Sequence, residues 1–229
     1  MKLLMILLMI TMMTVLSAQV DEQFLAADQS LMVMPTAYTM PRGKSAFTSF
    51  ELVLLQYSYA ISNRAHLSAG MVFPFTKDMI KTFTLGAKVN YYRGADVQTA
   101  FWASYTPDPK TATLGHVISV GNPKVSGHFI AALAGNLRDN EAQSIFGLGG
   151  IVSFSERVSG IGEVYYLPGK LISFNDEIDS DSSSDWKGII LGIRFKGEWM
   201  SWDLGGMRPL SDWGDDLLAI PFVKATFMF

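Results

Sequence analysis

The stretch Thr82-Phe83-Thr84-Leu85-Gly86-Ala87-Lys88-Val89-Asn90-Tyr91-Tyr92 decides the fold. Phe83, Leu85, Ala87, Val89 and Tyr91 fall on one side of an extended chain, and Thr84, Gly86, Lys88 and Asn90 on the other, because successive side chains of a strand point to opposite faces. The same period of two governs the C-terminal end, where Val223, Ala225, Phe227 and Phe229 alternate with Lys224, Thr226 and Met228. Outward from these two, segments of about ten residues with this pattern recur over 29–39, 45–61, 65–75, 82–93, 97–106, 112–121, 126–137, 144–155, 159–167, 187–196, 199–208 and 217–229. The count is even. About 17 residues per strand and connection suits strands that cross a bilayer in ~9–11 residues.

The connections sharpen this reading. Ser62-Asn63-Arg64, Gly94-Ala95-Asp96, Asn122-Pro123-Lys124, Ser155-Glu156-Arg157 and Lys196-Gly197-Glu198 are tight, whereas those between them, around 76–80, 107–110, 138–143, 168–186 and 211–216, are longer and carry most of the acidic residues. Pro41-Arg42-Gly43-Lys44 alone breaks the alternation. Short turns on one rim and long polar loops on the other predict an outer-membrane barrel with its short side toward the periplasm. Tyr91, Tyr92, Tyr165, Tyr166, Trp186, Trp199 and Trp213 stand near strand ends, as an interfacial girdle requires. Gly147, Gly149 and Gly150 within one strand read as aids to bending or as bulges.

The N-terminus supplies the compartment. Lys2 precedes an apolar run from Leu3 to Leu16 that ends in Ser17 and Ala18, the pattern of a cleaved signal peptide over residues 1–18. No later apolar run approaches the ~20 residues of a spanning helix, so a membrane role falls to strands. The 229 residues show no composition shift beyond the leader, which gives a short N-terminal leader over 19–28 and one barrel domain over 29–229. The formal charge is −3 and the eighteen basic residues are scattered, which excludes a nucleic-acid partner. Cysteine is absent, so disulfides and thiolate metal sites are excluded.

Two resemblances follow from particular residues. The last strand resembles the closing strand of outer-membrane barrels, with Phe229 terminal and Phe227 two before it; this implies recognition by the barrel-assembly machinery. The segments MPTAYTMPRGKSAF (34–47), YSYAISNRAHLSAGM (57–71), GEVYYLPG (162–169) and GIRFKGEWMSWDLGGMRPL (192–210) resemble an uncharacterised outer-membrane β-barrel family of Bacteroidetes-like Gram-negative bacteria. That resemblance implies fold and location and carries no substrate.

Candidate chemistry lies with charges inside strands. Charge facing lipid costs ~2–4 kcal/mol at the midplane, so Glu163, Arg194, Asp203 and Lys224, alternating in sign on four consecutive strands, are expected to face the lumen, with Lys88 on an earlier strand. They read either as a charged constriction or as an internal ion-pair ladder that closes the lumen. His66, His116 and His128 have no metal-ligand spacing. A hydrolase set of Ser68 with His66 or His128 and Glu163 is a third possibility, without a G-x-S-x-G motif. Asp179, Asp181, Ser183 and Asp185 repeat at alternate positions like the opening of a calcium loop, but Ser184 and Ile190 stand where the loop needs glycine and glutamate. A solvated acidic loop, with weak cation binding near lipopolysaccharide as the alternative, is the expectation.

The sequence therefore predicts an all-β, single antiparallel transmembrane barrel of about twelve strands, without cofactor or metal, in contact with outer-membrane lipid and lipopolysaccharide, with both termini periplasmic. Its expected role is a narrow passive pore or a ligand-holding barrel; the alternatives are a structural or assembly barrel with a plugged lumen and a barrel-embedded lipid hydrolase.

Overall fold

The computed structural model describes residues 25–73, 75–138, 141–169, 171–173, 185–210 and 219–229. Its strands are β1 (Ser45–Phe50), β2 (Leu54–Ser62), β3 (Ala65–Val72), β4 (Thr84–Arg93), β5 (Val97–Thr106), β6 (Thr111–Asn122), β7 (Val125–Asn136), β8 (Glu141–Ser153), β9 (Val158–Leu167), β10 (Leu171–Ser173), β11 (Trp186–Phe195), β12 (Met200–Pro209) and β13 (Ile220–Met228). Neighbours in sequence pair antiparallel, except that β10 attaches to β8 and β9 pairs with β11. β13 returns to β1, with Ala46 opposite Met228 and Phe50 opposite Lys224. The result is a closed ring of twelve strands to which β10 adds a short flap. Closure removes the edges that an open sheet would expose. The expected signal peptide and residues 19–24 lie outside the described residues.

The barrel has the polarity of a membrane protein. Leu85, Val89, Leu114, Leu148, Leu191 and Ile193 are exposed on its outer wall, while Lys88, Glu163, Arg194, Asp203 and Lys224 are buried. Of the residues adjacent to these charges, Val164, Ile193 and Leu204 are exposed, whereas Ala225, between its register partners Ser49 and Trp202, is buried.

The twelve strands are divided differently from the sequence pattern at the start. Residues 29–39 form no strand; apart from one isolated bridge between Ser30 and Pro35, they run inside the lumen, with Leu31, Met32, Met34 and Ala37 buried. Apolar side chains at 31, 32 and 34 do not alternate, and Pro35 has no N–H to give a ladder. The segment 45–61, expected as one strand, is instead the hairpin β1–β2. Val53 N–H donates to Phe50 O at 3.0 Å, and the two residues between them, Glu51 and Leu52, have φ of 52° and 60°. Left-handed geometry at both central positions matches strand twist but ordinarily selects Asn or Gly. Neither is present, so the alternation runs through the turn unmarked. The Glu51 carboxylate accepts the Val223 N–H at 2.5 Å, which ties the turn to β13.

This division also explains Pro41–Lys44. The β1–β2 turn lies on the rim of the long connections, and residues 41–44 lie on the short-turn rim, where Gly43 N–H donates to Ala60 O at 2.9 Å. Phe229 ends on that same rim, exchanging backbone hydrogen bonds with Ser45. Two expected girdle residues turn inward: Tyr165 is buried and Trp186 packs on the interior apolar cluster.

A left-handed conformation costs a β-carbon-bearing residue about 1–2 kcal/mol. Leu52 is 72% exposed and packs little. Leu52→Gly is therefore expected to leave the folded barrel intact and to be neutral or stabilising by up to about 1 kcal/mol, measured as the thermal midpoint in detergent. A loss above about 1 kcal/mol contradicts the turn geometry.

Candidate functional site: a lumen plug and the cavity beside it

Buried main chain without a ladder needs other hydrogen-bond partners, and for residues 27–39 the barrel wall supplies them. Arg194 donates through Nη1 to Ala27 O at 3.0 Å and through Nη2 to Ser30 O at 2.8 Å and Leu31 O at 3.0 Å. Lys224 Nζ donates to Leu31 O, to Met32 O at 3.3 Å and to Ser30 Oγ at 3.1 Å. From another wall, Lys88 Nζ donates to Gln29 O and Thr36 O, both at 2.9 Å. Glu163 completes the set with the opposite polarity, accepting the N–H groups of Val33 at 3.0 Å and Met34 at 3.1 Å. Ser119 Oγ accepts Ala37 N–H and Asn90 Nδ2 donates to Ala37 O, each at 2.8 Å. Cations thus hold carbonyls and a carboxylate holds amides, which fixes one tight loop, closed by Leu31 N–H to Met34 O at 2.8 Å.

Three of the five sequence-predicted charges also meet each other. Arg194 and Asp203 are register partners, as are Asp203 and Lys224. Arg194 makes a two-pronged contact to Asp203, Nε to Oδ1 at 2.7 Å and Nη2 to Oδ2 at 2.8 Å, and Lys224 Nζ lies 3.0 Å from Oδ2. The acid that contacts Arg194 is Asp203 and not Glu163, whose remaining partner is the Tyr165 hydroxyl, donating at 2.6 Å. Lys88 stands between His66 and Trp102 in register, away from this group.

Apolar contacts seat the same loop. Leu31, Met32, Met34 and Ala37 join Val117, Ile130, Ile151, Ile161 and Ile190 in one buried cluster. Lumen-facing glycines make room for it: a Cβ on Gly147 would lie 2.8 Å from Met34 Cε, one on Gly149 2.7 Å from Leu31 Cδ1, and one on Gly192 or on its partner Gly205 2.8 Å from Met32 Cε. These glycines are sockets for the plug. The sequence alone reads Gly147 and Gly149 as aids to bending or as bulges; their facing partners become visible once residues 31–34 are placed.

On the other side of the plug, between it and the long-loop rim, lies a cavity of about 380 Å³. Its wall is ordered in cross-strand rows of β3, β4 and β5: His66, Lys88 and Trp102 nearest the plug, then Ser68, Gly86 and Ser104, then Gly70 and Thr84. Gln29, Val33 and Pro35 of the plug form its floor. A Cβ at Gly86 would lie 2.5 Å from Ser68 Oγ and 3.3 Å from Ala103 O, so glycine there keeps the cavity open.

The remaining candidates fall elsewhere. His128 lies below the plug with Ser126 Oγ at 2.9 Å and Ser119 Oγ at 2.7 Å, so its described hydrogen-bond partners are hydroxyls, and Glu163 is engaged with the plug. His116 Nε2 lies 2.6 Å from the Tyr91 hydroxyl and its ring packs against Phe101, a different surface from that of His66 and His128. Asp179, Asp181 and Ser183 lie outside the described residues. Asp185 accepts Gly169 N–H at 2.9 Å and the Tyr166 hydroxyl at 2.8 Å; these two donors, the backbone one foremost, hold its carboxyl below the usual carboxylate range.

Neither a family model nor a curated protein matches the chain. Solved structures do. A chain from a study of the in-meso crystallization of membrane proteins superposes with a TM-score of 0.54 at 9% identity, over 82% of this chain and 83% of that one. A porin refined at 1.8 Å matches with a TM-score of 0.42 at 14% identity, over 77% of this chain and 61% of its own. OmpT of Vibrio cholerae, an outer membrane protein, in a form lacking loop L8, gives 0.41 at 10% identity, over 77% and 62%. The chain spans about three-fifths of the length of these last two. The first likeness establishes the barrel fold.

Removing one member of a buried ion pair costs about 3–5 kcal/mol, because its partner is left charged and unpaired. Asp203→Ala, which leaves both Arg194 and Lys224 without their carboxylate, is expected to lie in that range; Arg194→Ala leaves Asp203 to Lys224 but removes the donor of three buried plug carbonyls and is expected to be similarly costly, with the double variant losing about 1–3 kcal/mol less than the sum. Urea or thermal unfolding of the three proteins in detergent measures the coupling. Additive losses would separate the two side chains.

Proposed function

We propose that this chain is an outer-membrane barrel closed by its own N-terminal segment, holding a small ligand in the cavity between that segment and the long-loop rim. The observation that carries this reading is the burial of residues 26–32 and 36–40 inside the ring, almost without gap, with backbone groups between Ala27 and Thr36 gripped by Arg194, Lys224, Lys88 and Glu163. A freely passive pore needs a lumen filled by water; here that space holds main chain and the apolar cluster around Met32 and Met34. The cavity volume falls in the ~300–1,000 Å³ range of ligand sites. An outer-membrane location is supported by the apolar exterior, by the asymmetry of the rims and by Phe227 and Phe229 on the closing strand, which we assign as the signal for barrel assembly. On this assignment the short-turn rim faces the periplasm, and the plug enters and leaves the barrel from that side.

A structural or assembly role for the plugged barrel is the second reading, favoured by the same filled lumen. The two differ in whether the cavity has an occupant.

Reconstituted into planar bilayers, the wild-type protein is expected to show no steady conductance. Moderate urea is expected to open a reversible current before the barrel itself unfolds, because the plug is held by a few side-chain contacts and the wall by a continuous ladder closed on itself. Barrel integrity is followed in parallel by faster gel migration of unheated samples. A stable ohmic current from untreated wild type would falsify the closed-barrel reading.

A further inference from the structure

Resting on the reading of a closed, ligand-holding barrel, we propose that the cavity binds a small hydroxylated organic anion, of the size and chemistry of a hexuronic acid, with its carboxylate against the row formed by His66, Lys88 and Trp102.

Charge comes first. Among the described residues the ion pairs are Lys81 with Asp78 and the group of Arg194, Lys224 and Asp203. Lys88, 4% exposed, is paired with no carboxylate and donates to two carbonyls. An ammonium has three donors, and a buried cation without a counter-ion is unfavourable. Among the described residues no Asp or Glu lines the cavity, so an anion seated in it meets no like charge on the wall.

Unpartnered polar atoms point to the same class of ligand. Trp102 Nε1, His66 Nδ1 and Gln29 Oε1 are buried and find no hydrogen-bond partner among the described residues, and all three residues line the cavity. His66 and Gln29 are 7% and 8% exposed. Groups left in this state are unfavourable unless something binds them. The indole N–H suits a carboxylate oxygen beside Lys88, and the Gln29 carbonyl suits a donor, which a ligand hydroxyl provides. The second and third rows continue this pattern, with Ser68, Ser104 and Thr84 offering hydroxyls to a polyol. Gly86, with no Cβ to crowd Ser68, leaves the middle row open for the ligand ring.

The test uses the folded mature chain in detergent and isothermal titration with D-glucuronate, D-glucose and D-glucosamine. D-Glucuronate is expected to bind saturably, D-glucose at least about tenfold more weakly, since it lacks the charge, and D-glucosamine not at all. Trp102→Phe, which removes the indole N–H and keeps an aromatic ring, is expected to weaken D-glucuronate about tenfold. Ser104→Leu fills the middle row without touching a plug contact and is expected to abolish binding. Heat-dependent gel mobility confirms that both variants fold. Equal affinity for the acid and the neutral sugar, indifference to Ser104→Leu, or no binding to the wild type overturns the assignment. A wild type that conducts in bilayers overturns the closed-barrel reading, whereas a silent wild type that ignores D-glucuronate overturns the ligand class alone.

Discussion

Main chain that is buried but not paired in a ladder must borrow its hydrogen bonds from side chains, and in this barrel much of that demand is met by Arg194. Its guanidinium reaches Ala27, Ser30 and Leu31 carbonyls while its fork stays on Asp203. Arginine alone can do both, since its planar group carries five donors in fixed directions. Asp203 balances the charge and also holds Lys224, which reaches the same turn of the plug from the next strand. The lumen glycines, the apolar cluster and the cavity on the far side all take their shape from where this arrangement fixes residues 27–34.

The architecture was legible wherever one wall of a strand meets lipid and the other does not. Leu85 and Val89 against Lys88 and Asn90 is the local signature of that environment, and turn length on alternate sides followed from the same logic. Legibility failed where local chemistry was silent. Glu51 and Leu52 adopt a turn that their types do not announce, so β1 and β2 read as one segment. Residues 29–39 carried enough hydrophobic and β-favouring residues to resemble a strand, although two methionines, Pro35 within the segment, Pro41 just beyond it and adjacent apolar positions at 31 and 32 suited a segment packed on all sides. The two errors compensated, and the count of twelve survived.

For the site, the sequence located the charged residues but not what they act on. A charge on a strand among apolar neighbours identifies the lumen face by cost alone. Which groups share a hydrogen bond depends on register, and register across β11, β12 and β13 is set by pairings between residues that sequence spacing does not relate. The plug contacts are more remote still: Glu163 receives the amides of Val33 and Met34 from 130 and 129 residues away. The row of His66, Lys88 and Trp102 was hidden for the same reason, because each lies on a different strand and only pairing aligns them.

The plug is covalently continuous with β1 through Pro41–Lys44 and hydrogen-bonded to β13 through Lys224. It therefore touches both sides of the seam at which the ring closes, where Ser45–Phe50 meets Lys224–Met228 almost a full chain length apart. Joining ends so distant in sequence carries a loop-closure entropy cost that must be met before the ladder between them contributes anything. A segment tethered to the first strand that already grips the last shortens the effective loop to the few residues between Met32 and Ser45. A plug that is seated early thus brings the first and last strands within reach of each other, and the same contacts that fill the lumen lower the cost of closing its wall.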